Sequence, residues 1–286
     1  MSKVFLVTGS SRGLGRSIAE AALAAGHRLV ATARKPEQLA DLVTKYGDQI
    51  RAVQLDVTDF TAAQAAVQAA VEAFGRLDVV VNNAGYANFA SIEDMPIEDF
   101  REQIDTNLLG VVNVTKAALP VLREQGAGHF IQVSSVGGRS VAPGVSAYQA
   151  AKWAVGGFSG VLAREVNPLG IKVTVLEPGG MSTDWAGSSM KVYPISAPYE
   201  QSVGAVRKAL EGGLTASDPD KVAQVVLQLV ELDEVPERLL LGGDAVAVAA
   251  AYEKALAESD AKWLELSTST HHDDDATKSL DLSDFL

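Results

Sequence analysis

KVFLVTGSSRGLGRSIAEAALAAG, residues 3–26, decides the fold. Val4 to Val7 are continuously apolar, as a strand buried on both faces requires. A turn follows in which Gly9, Gly13 and Gly15 interrupt small and polar residues. Arg16 to Ala25 then carry apolar residues at helical spacing, and Gly26 supplies a C-cap. Glycines between a first strand and a first helix permit a tight turn and close approach of the backbone to a pyrophosphate, which sits at the helix N-terminus. The spacing is wider than G-x-G-x-x-G. The turn makes Gly9, Ser11, Arg12, Gly13, Leu14 and Gly15 candidate dinucleotide contacts.

Outward from this unit the chain alternates β-rich runs with helical patterns. Strands are predicted at HRLVATAR (27–34), RAVQLDVTD (51–59), LDVVVNNAG (77–85), HFIQVSS (129–135), IKVTVLEPGG (171–180) and ERLLLGG (237–243). Helices are predicted at 36–47, 60–75, 97–124, 146–166, 219–232 and 245–266. This order predicts a single-domain, Rossmann-type α/β fold: a doubly wound parallel sheet of about seven strands with helices on both faces. The domain is expected over 1–266, with an irregular lid around 183–217 and an acidic tail over 267–286. His271 and His272 beside Asp273 to Asp275 read as part of a solvated tail, and no metal is expected.

Composition narrows the function. Hydrophobic residues make up 47% of the 286, enough for a substantial core, and there is no cysteine to form a disulfide or bind a metal. A net charge of −12 argues against non-specific nucleic-acid binding. No secretory leader and no run of ~20 uninterrupted apolar residues is present, so no membrane span and a cytoplasmic location are expected.

The second strand ends ATARK, with Arg34 and Lys35 where an acidic residue would favour NAD. Arg12 could reach the same point. NADP(H) is therefore expected over NAD(H). Tyr148 and Lys152, in YQAAK, lie one helical turn apart on one face. A nearby cation favours a phenolate over the free tyrosine's pKa of ~10. Ala147, Ala150 and Ala151 would let a large molecule approach that face.

With T-G-x-x-x-G-x-G at Thr8 to Gly15, DV at Asp56 and Val57, NNAG at Asn82 to Gly85, Asn107, Ser134 and Ser135, YQAAK, and PGGMST at Pro178 to Thr183, the chain resembles the short-chain dehydrogenase/reductase family. The resemblance covers roughly residues 3–245, and EPGGMSTDWAGSS looks most like the bacterial branch labelled 17β-hydroxysteroid-dehydrogenase-like. It implies Tyr148 as general acid or base and Lys152 as the group that lowers its pKa and holds the nicotinamide ribose. It further implies that Ser135, thirteen residues before Tyr148, holds the reacting oxygen, while Asn107 holds a proton-relaying water. Asp56 and Val57 would flank the adenine; Asn83, Ala84 and Gly85 would line the cofactor; Pro178, Gly179 and Thr183 would lie at the nicotinamide. The implied reaction interconverts a ketone or aldehyde and an alcohol, by a homodimer or homotetramer. The alternative is a catalytically silent NADP(H)-sensing protein of the same fold.

Strand ends place Ser135, Gly137, Tyr86 and the segment after Thr183 around one pocket. Trp185, Met190, Val192, Tyr193, Ile195 and Tyr199 suit an uncharged, fairly hydrophobic substrate. Lys191 is the one basic residue from Thr183 to Val206, which disfavours a polyanion.

Overall fold

The computed structural model describes residues 2–182, 190–211 and 217–270. Seven parallel strands form one sheet: β1 (Val4–Val7), β2 (Arg28–Ala33), β3 (Ile50–Gln54), β4 (Val79–Asn82), β6 (Gly128–Val133), β7 (Ile171–Pro178) and β9 (Arg238–Leu241). Two short strands, β5 (Asn88–Phe89) and β8 (Lys191–Val192), pair separately. The helices are α1 (Gly13–Ala24), α2 (Ala40–Tyr46), α3 (Phe60–Phe74), α4 (Ile97–Ile104), α5 (Gly110–Gln125), α6 (Ser146–Val166), α7 (Ala205–Glu211), α8 (Pro219–Leu229), α9 (Gly243–Lys262) and α10 (Leu264–Thr268).

The strand order is β3-β2-β1-β4-β6-β7-β9. The chain winds outward from β1 to β3, then returns to lay β4 on the other side of β1. Because all seven strands run the same way, their carboxyl ends share one edge, and the β1/β4 junction is the switch point at which such sheets bind ligands. Alternate residues of each strand feed opposite layers. Phe5, Val7 and Ile131 pack with Ile18 of α1 and Val226 of α8. Val4, Leu6 and Phe130 pack with Val67 of α3, Val114 of α5 and Leu162 of α6. Strands with both faces covered are largely apolar, which is why they are legible as near-continuous runs.

Two expectations change. The helix expected over 97–124 is broken by a π-helical turn, Asp105–Leu109, between α4 and α5. The segment expected to be irregular over 183–217 contains β8 and α7 in its described part. Thr183 and Trp185, like most of the acidic tail, lie outside the described residues. No described helix is long and apolar enough to cross a membrane.

His129 enters β6 buried, with Nε2 3.0 Å from Thr174 Oγ1 and Nδ1 without a partner among the described residues. Burial pulls its pKa down to about 4, with Lys172 and Lys3 adding to the effect. The unfolded chain therefore takes up a proton at higher pH than the folded one, and the stability from neutral His129 falls as pH drops from the ordinary ~6.5 towards about 4. Thermal melts at pH 7.5 and 4.5 test this: His129→Gln, which keeps a donor for Thr174, should show a smaller drop in Tm between the two than the native chain.

Candidate active site

The turn after β1 is built by exclusion of side chains. Gly9 and Gly13 have φ of 68° and 55°, in the left-handed region that favours glycine. A Cβ on Gly15 would overlap the Gly9 carbonyl and the Asn83 amide. Arg12 is the N-cap of α1 with extended backbone, and no side chain caps the helix. The first-turn N–H groups, which a side chain elsewhere often satisfies, are thus left for an anion. At α3, by contrast, Asp59 accepts from Thr61 N at 2.8 Å and Ala62 N at 3.1 Å. The residues of the turn fit a dinucleotide pyrophosphate.

Thr8, at the foot of the turn, ties β1 to β4. Its Oγ1 accepts from Asn83 N at 2.9 Å and Ala84 N at 3.0 Å, and Asn83 Nδ2 donates to Thr8 O at 2.9 Å. The NNAG motif is therefore the second wall of the cleft opposite the glycine turn. Arg34 and Lys35 stand exposed at the end of β2, as does Arg12. Asp56 Oδ1 accepts from Thr58 N at 3.0 Å, which orders the bend after β3. Val57 is buried against Gly110, and Asn113 Nδ2 donates to its carbonyl at 3.0 Å.

The reactive groups converge at the ends of β4, β6 and β7. Tyr148 and Lys152 are buried on α6, with Lys152 Nζ 5.6 Å from the centroid of the Tyr148 ring. Ser135 hydrogen-bonds Tyr148. Its Oγ also accepts from Gly137 N at 3.0 Å and lies 3.5 Å from Pro178 O. Lys152 Nζ donates to Val133 O at 2.7 Å. Asn107 sits in the π turn, fully buried, and clamps Tyr86: Oδ1 accepts from Tyr86 N at 3.0 Å and Nδ2 donates to Tyr86 O at 2.9 Å. A Cβ on Gly85 would stand 2.5 Å from Asn107 Oδ1 and 3.6 Å from Lys152 Nζ. That glycine thus lies beside both.

Burial dominates the electrostatics. It pushes the Tyr148 phenol up to about 12, against the opposing hydrogen bond from Ser135. It pulls Lys152 down to about 8. Burial outweighs any lowering of the phenol by Lys152. Desolvation disfavours both charged forms, and the ammonium is turned onto the Val133 carbonyl. The alanines also differ from expectation. Ala147 and Ala151 are fully buried, so they let α6 pack closely rather than open a face, and only Ala150 looks outward.

Several positioning groups escaped the sequence reading. Ser134 Oγ donates to Lys152 O at 3.1 Å, and Gln149 Oε1 accepts from Ala142 N at 2.8 Å. Asp94 accepts from Ser196 N at 3.1 Å, and Tyr199 Oη donates to Glu93 Oε2 at 2.6 Å. These bonds pin the described part of the lid to the loop after β5. Ser134 had a visible signal, the SS pair; the lid contacts join residues about a hundred apart and had none.

Known proteins resemble this chain along most of its length. A family model described as short chain dehydrogenase matches residues 3–193. The oxidoreductase BOA17 of Botryotinia fuckeliana is 56% identical over 93% of this chain and 98% of its own. A solved short-chain dehydrogenase of Streptomyces avermitilis superposes with a TM-score of 0.89 at 37% identity, covering 94% of this chain and 98% of that one. An alcohol dehydrogenase from the archaeon Thermococcus sibiricus, complexed with 5-hydroxy-NADP, has a TM-score of 0.70 at 30% identity, over 84% of this chain and 96% of that one.

The crowding at Gly15 makes a sharp test. Gly15→Ala must move the Gly9 carbonyl or Asn83, so it should destabilise the chain by about 1–3 kcal/mol in urea unfolding and abolish dinucleotide binding measured by fluorescence. Gly157→Ala, at a position with open space, should do neither.

Proposed function

The chain belongs to the short-chain dehydrogenase/reductase family and is a nicotinamide-dependent oxidoreductase, and from that premise we propose that it interconverts a ketone or aldehyde and the corresponding alcohol with NADP(H). The observation that carries the reading is the convergence of Ser135, Tyr148 and Lys152 beside Gly85 and Asn107, at the carboxyl edge of the sheet.

When bound, the dinucleotide supplies or accepts the hydride. The protein's residues place the carbonyl and handle one proton. Tyr148, with its pKa up near 12, is a phenol throughout the neutral range and gives its proton to the carbonyl oxygen in reduction. Ser135 donates to the same oxygen. Lys152 in its ammonium form stabilises the phenolate that Tyr148 becomes. Asn107 clamps Tyr86 beside the cleft, and would hold the water that relays protons to Lys152.

Gly9, Ser11, Arg12, Gly13, Leu14 and Gly15 would hold the pyrophosphate; Asp56 and Val57 the adenine; Asn83, Ala84 and Gly85 the middle of the dinucleotide; Pro178, Gly179 and Thr183 the nicotinamide. Arg34 with Arg12 selects the 2′-phosphate: both are exposed at the adenosine end, and the Thermococcus relative was solved with an NADP derivative. The substrate is an uncharged, fairly hydrophobic carbonyl compound. Supporting this, Met95, Ala90, Phe100 and Tyr193 form an apolar cluster around Ala147, next to Tyr148.

The enzyme works in the cytoplasm as a homodimer or homotetramer. Large apolar residues left exposed on α6 (Trp153, Val161) and α9 (Val246, Leu256) support association.

NADPH consumption against ketones and aldehydes tests the reading. Turnover should be fast with NADPH, weak with NADH and absent in Tyr148→Phe, while that variant still binds NADPH. Arg34→Glu should reverse the cofactor preference. Reduction should decline as pH rises through about 8, because Lys152 then loses the charge that stabilises the phenolate. Tight NADPH binding with full biological function in Tyr148→Phe would instead favour a sensor.

A further inference from the structure

We infer that Asp244 is a positioning residue for the reaction: its carboxylate fixes the turn Pro178–Gly179–Gly180 and thereby the nicotinamide end of the cleft. This rests on the reading of Pro178 and Gly179 as cofactor-facing.

Asp244 lies in the first turn of α9, beyond β9 and far in sequence from the other site residues. Its Oδ2 accepts from Gly180 N at 2.7 Å. The fit around the carboxylate is tight from two sides. A Cβ on Gly179 would overlap it, and a Cβ on Gly242, whose φ is +104°, would stand 2.5 Å from Oδ1. Gly179 N donates to Leu241 O at 3.0 Å, and Gly180 O accepts from Ser217 N at 2.7 Å. The turn is therefore held by the end of β9, which leads directly into Asp244, and by the loop before α8. On its other side, Pro178 O lies 3.5 Å from Ser135 Oγ, and Ser135 hydrogen-bonds Tyr148.

A continuous set of contacts thus runs from Asp244 through Gly180 and Pro178 to the reacting groups. A carboxylate on a backbone N–H is a charge-assisted bond, stronger than a neutral one. The glycines on either side of it are what the close approach of this side chain demands. A shorter side chain would leave Gly180 N–H without its acceptor and the turn free to shift. A misplacement of that size near reacting atoms costs rate and binding together.

The test compares wild type, Asp244→Ala and Asp244→Asn with two probes: NADPH, and 2′-phospho-ADP-ribose, which lacks the nicotinamide. Asp244→Ala should weaken NADPH binding and raise its KM about tenfold, as loss of a charged hydrogen bond predicts. Affinity for 2′-phospho-ADP-ribose should stay within a factor of about two, because the adenosine and pyrophosphate contacts are untouched. Asp244→Asn keeps an acceptor for Gly180 and should recover most of the loss. Equal weakening of both probes would mean that the residue only supports the fold, and unchanged NADPH binding in Asp244→Ala would equally overturn the assignment. Gly179→Ala adds a separate check. It should lose NADPH binding through collision with the carboxylate and regain part of it in Gly179→Ala/Asp244→Ala; no gain in the double variant counts against the proposal. If wild type itself bound neither probe, the cofactor reading would fail, which is a different result from failure at Asp244.

Discussion

The hydroxyl of Thr8 is the constraint on which the rest of the cleft depends. It accepts two backbone N–H groups, Asn83 and Ala84, at the point where β4 passes beside β1. Both strands end there, so their ladder can no longer satisfy those groups, and buried backbone donors must find partners. The bond locks the glycine turn against the NNAG segment. Once that gap is set, Gly15 cannot carry a side chain, and Gly85 falls beside Asn107 and Lys152. The dinucleotide cleft and the chemical site are consequently two ends of one rigid crevice rather than separate features.

Burial sets the chemistry inside it. A tyrosine and a lysine one turn apart suggest mutual stabilisation of their charged forms, yet desolvation pushes each towards neutrality. This is useful for a proton donor. A phenol that holds its proton until a negative oxygen develops beside it spends its acidity only in the transition state. Lys152, held on the Val133 carbonyl, carries a charge poised to titrate near neutral pH.

The sheet was legible because its strands carry near-continuous apolar runs and glycines mark the helix ends: Gly75 ends α3 and Gly126 ends α5, both in the left-handed conformation. Ser135, Tyr148, Lys152 and Asn107 were legible as candidates, which the fold brings together, because their spacing lies within single elements or recurs as a pattern. The π turn was not. It adds no residue that a helical pattern forbids, and the bonds that Asn107 makes from it go to Tyr86, twenty-one residues away. The buried Glu177 was also invisible. A fully buried carboxylate is tolerable only through Arg139 Nε at 2.6 Å and Arg238 Nε at 2.8 Å, and neither arginine is near it in sequence. Asp244 was hidden for the same reason: its partner is sixty-four residues away.

The two halves of the crevice are held by different kinds of contact, and this bears on substrate choice. The cofactor half is fixed by buried side chains bonded to backbone groups, Thr8 Oγ1 and Asn83 Nδ2 among them, and by glycines that leave no room for a side chain, so little there can vary without disturbing the cleft. The described part of the lid is tied by the short β5–β8 pairing and by exposed side chains: Asp94 on Ser196, Glu93 on Tyr199, and Lys191 on Asp99 at 3.0 Å. These contacts are exposed and individually weak, because water competes for every partner. Beneath them Tyr193 packs on Met95 and Ala147 with its hydroxyl buried and without a partner among the described residues. An unpaired hydroxyl in an apolar wall costs stability that a plain apolar side chain would not. On the proposed function, the tightly built cofactor half leaves the lid, held by a short strand pair and exposed contacts, as the place where the carbonyl substrate can change, while Ser135, Tyr148 and Lys152 stay where the sheet puts them.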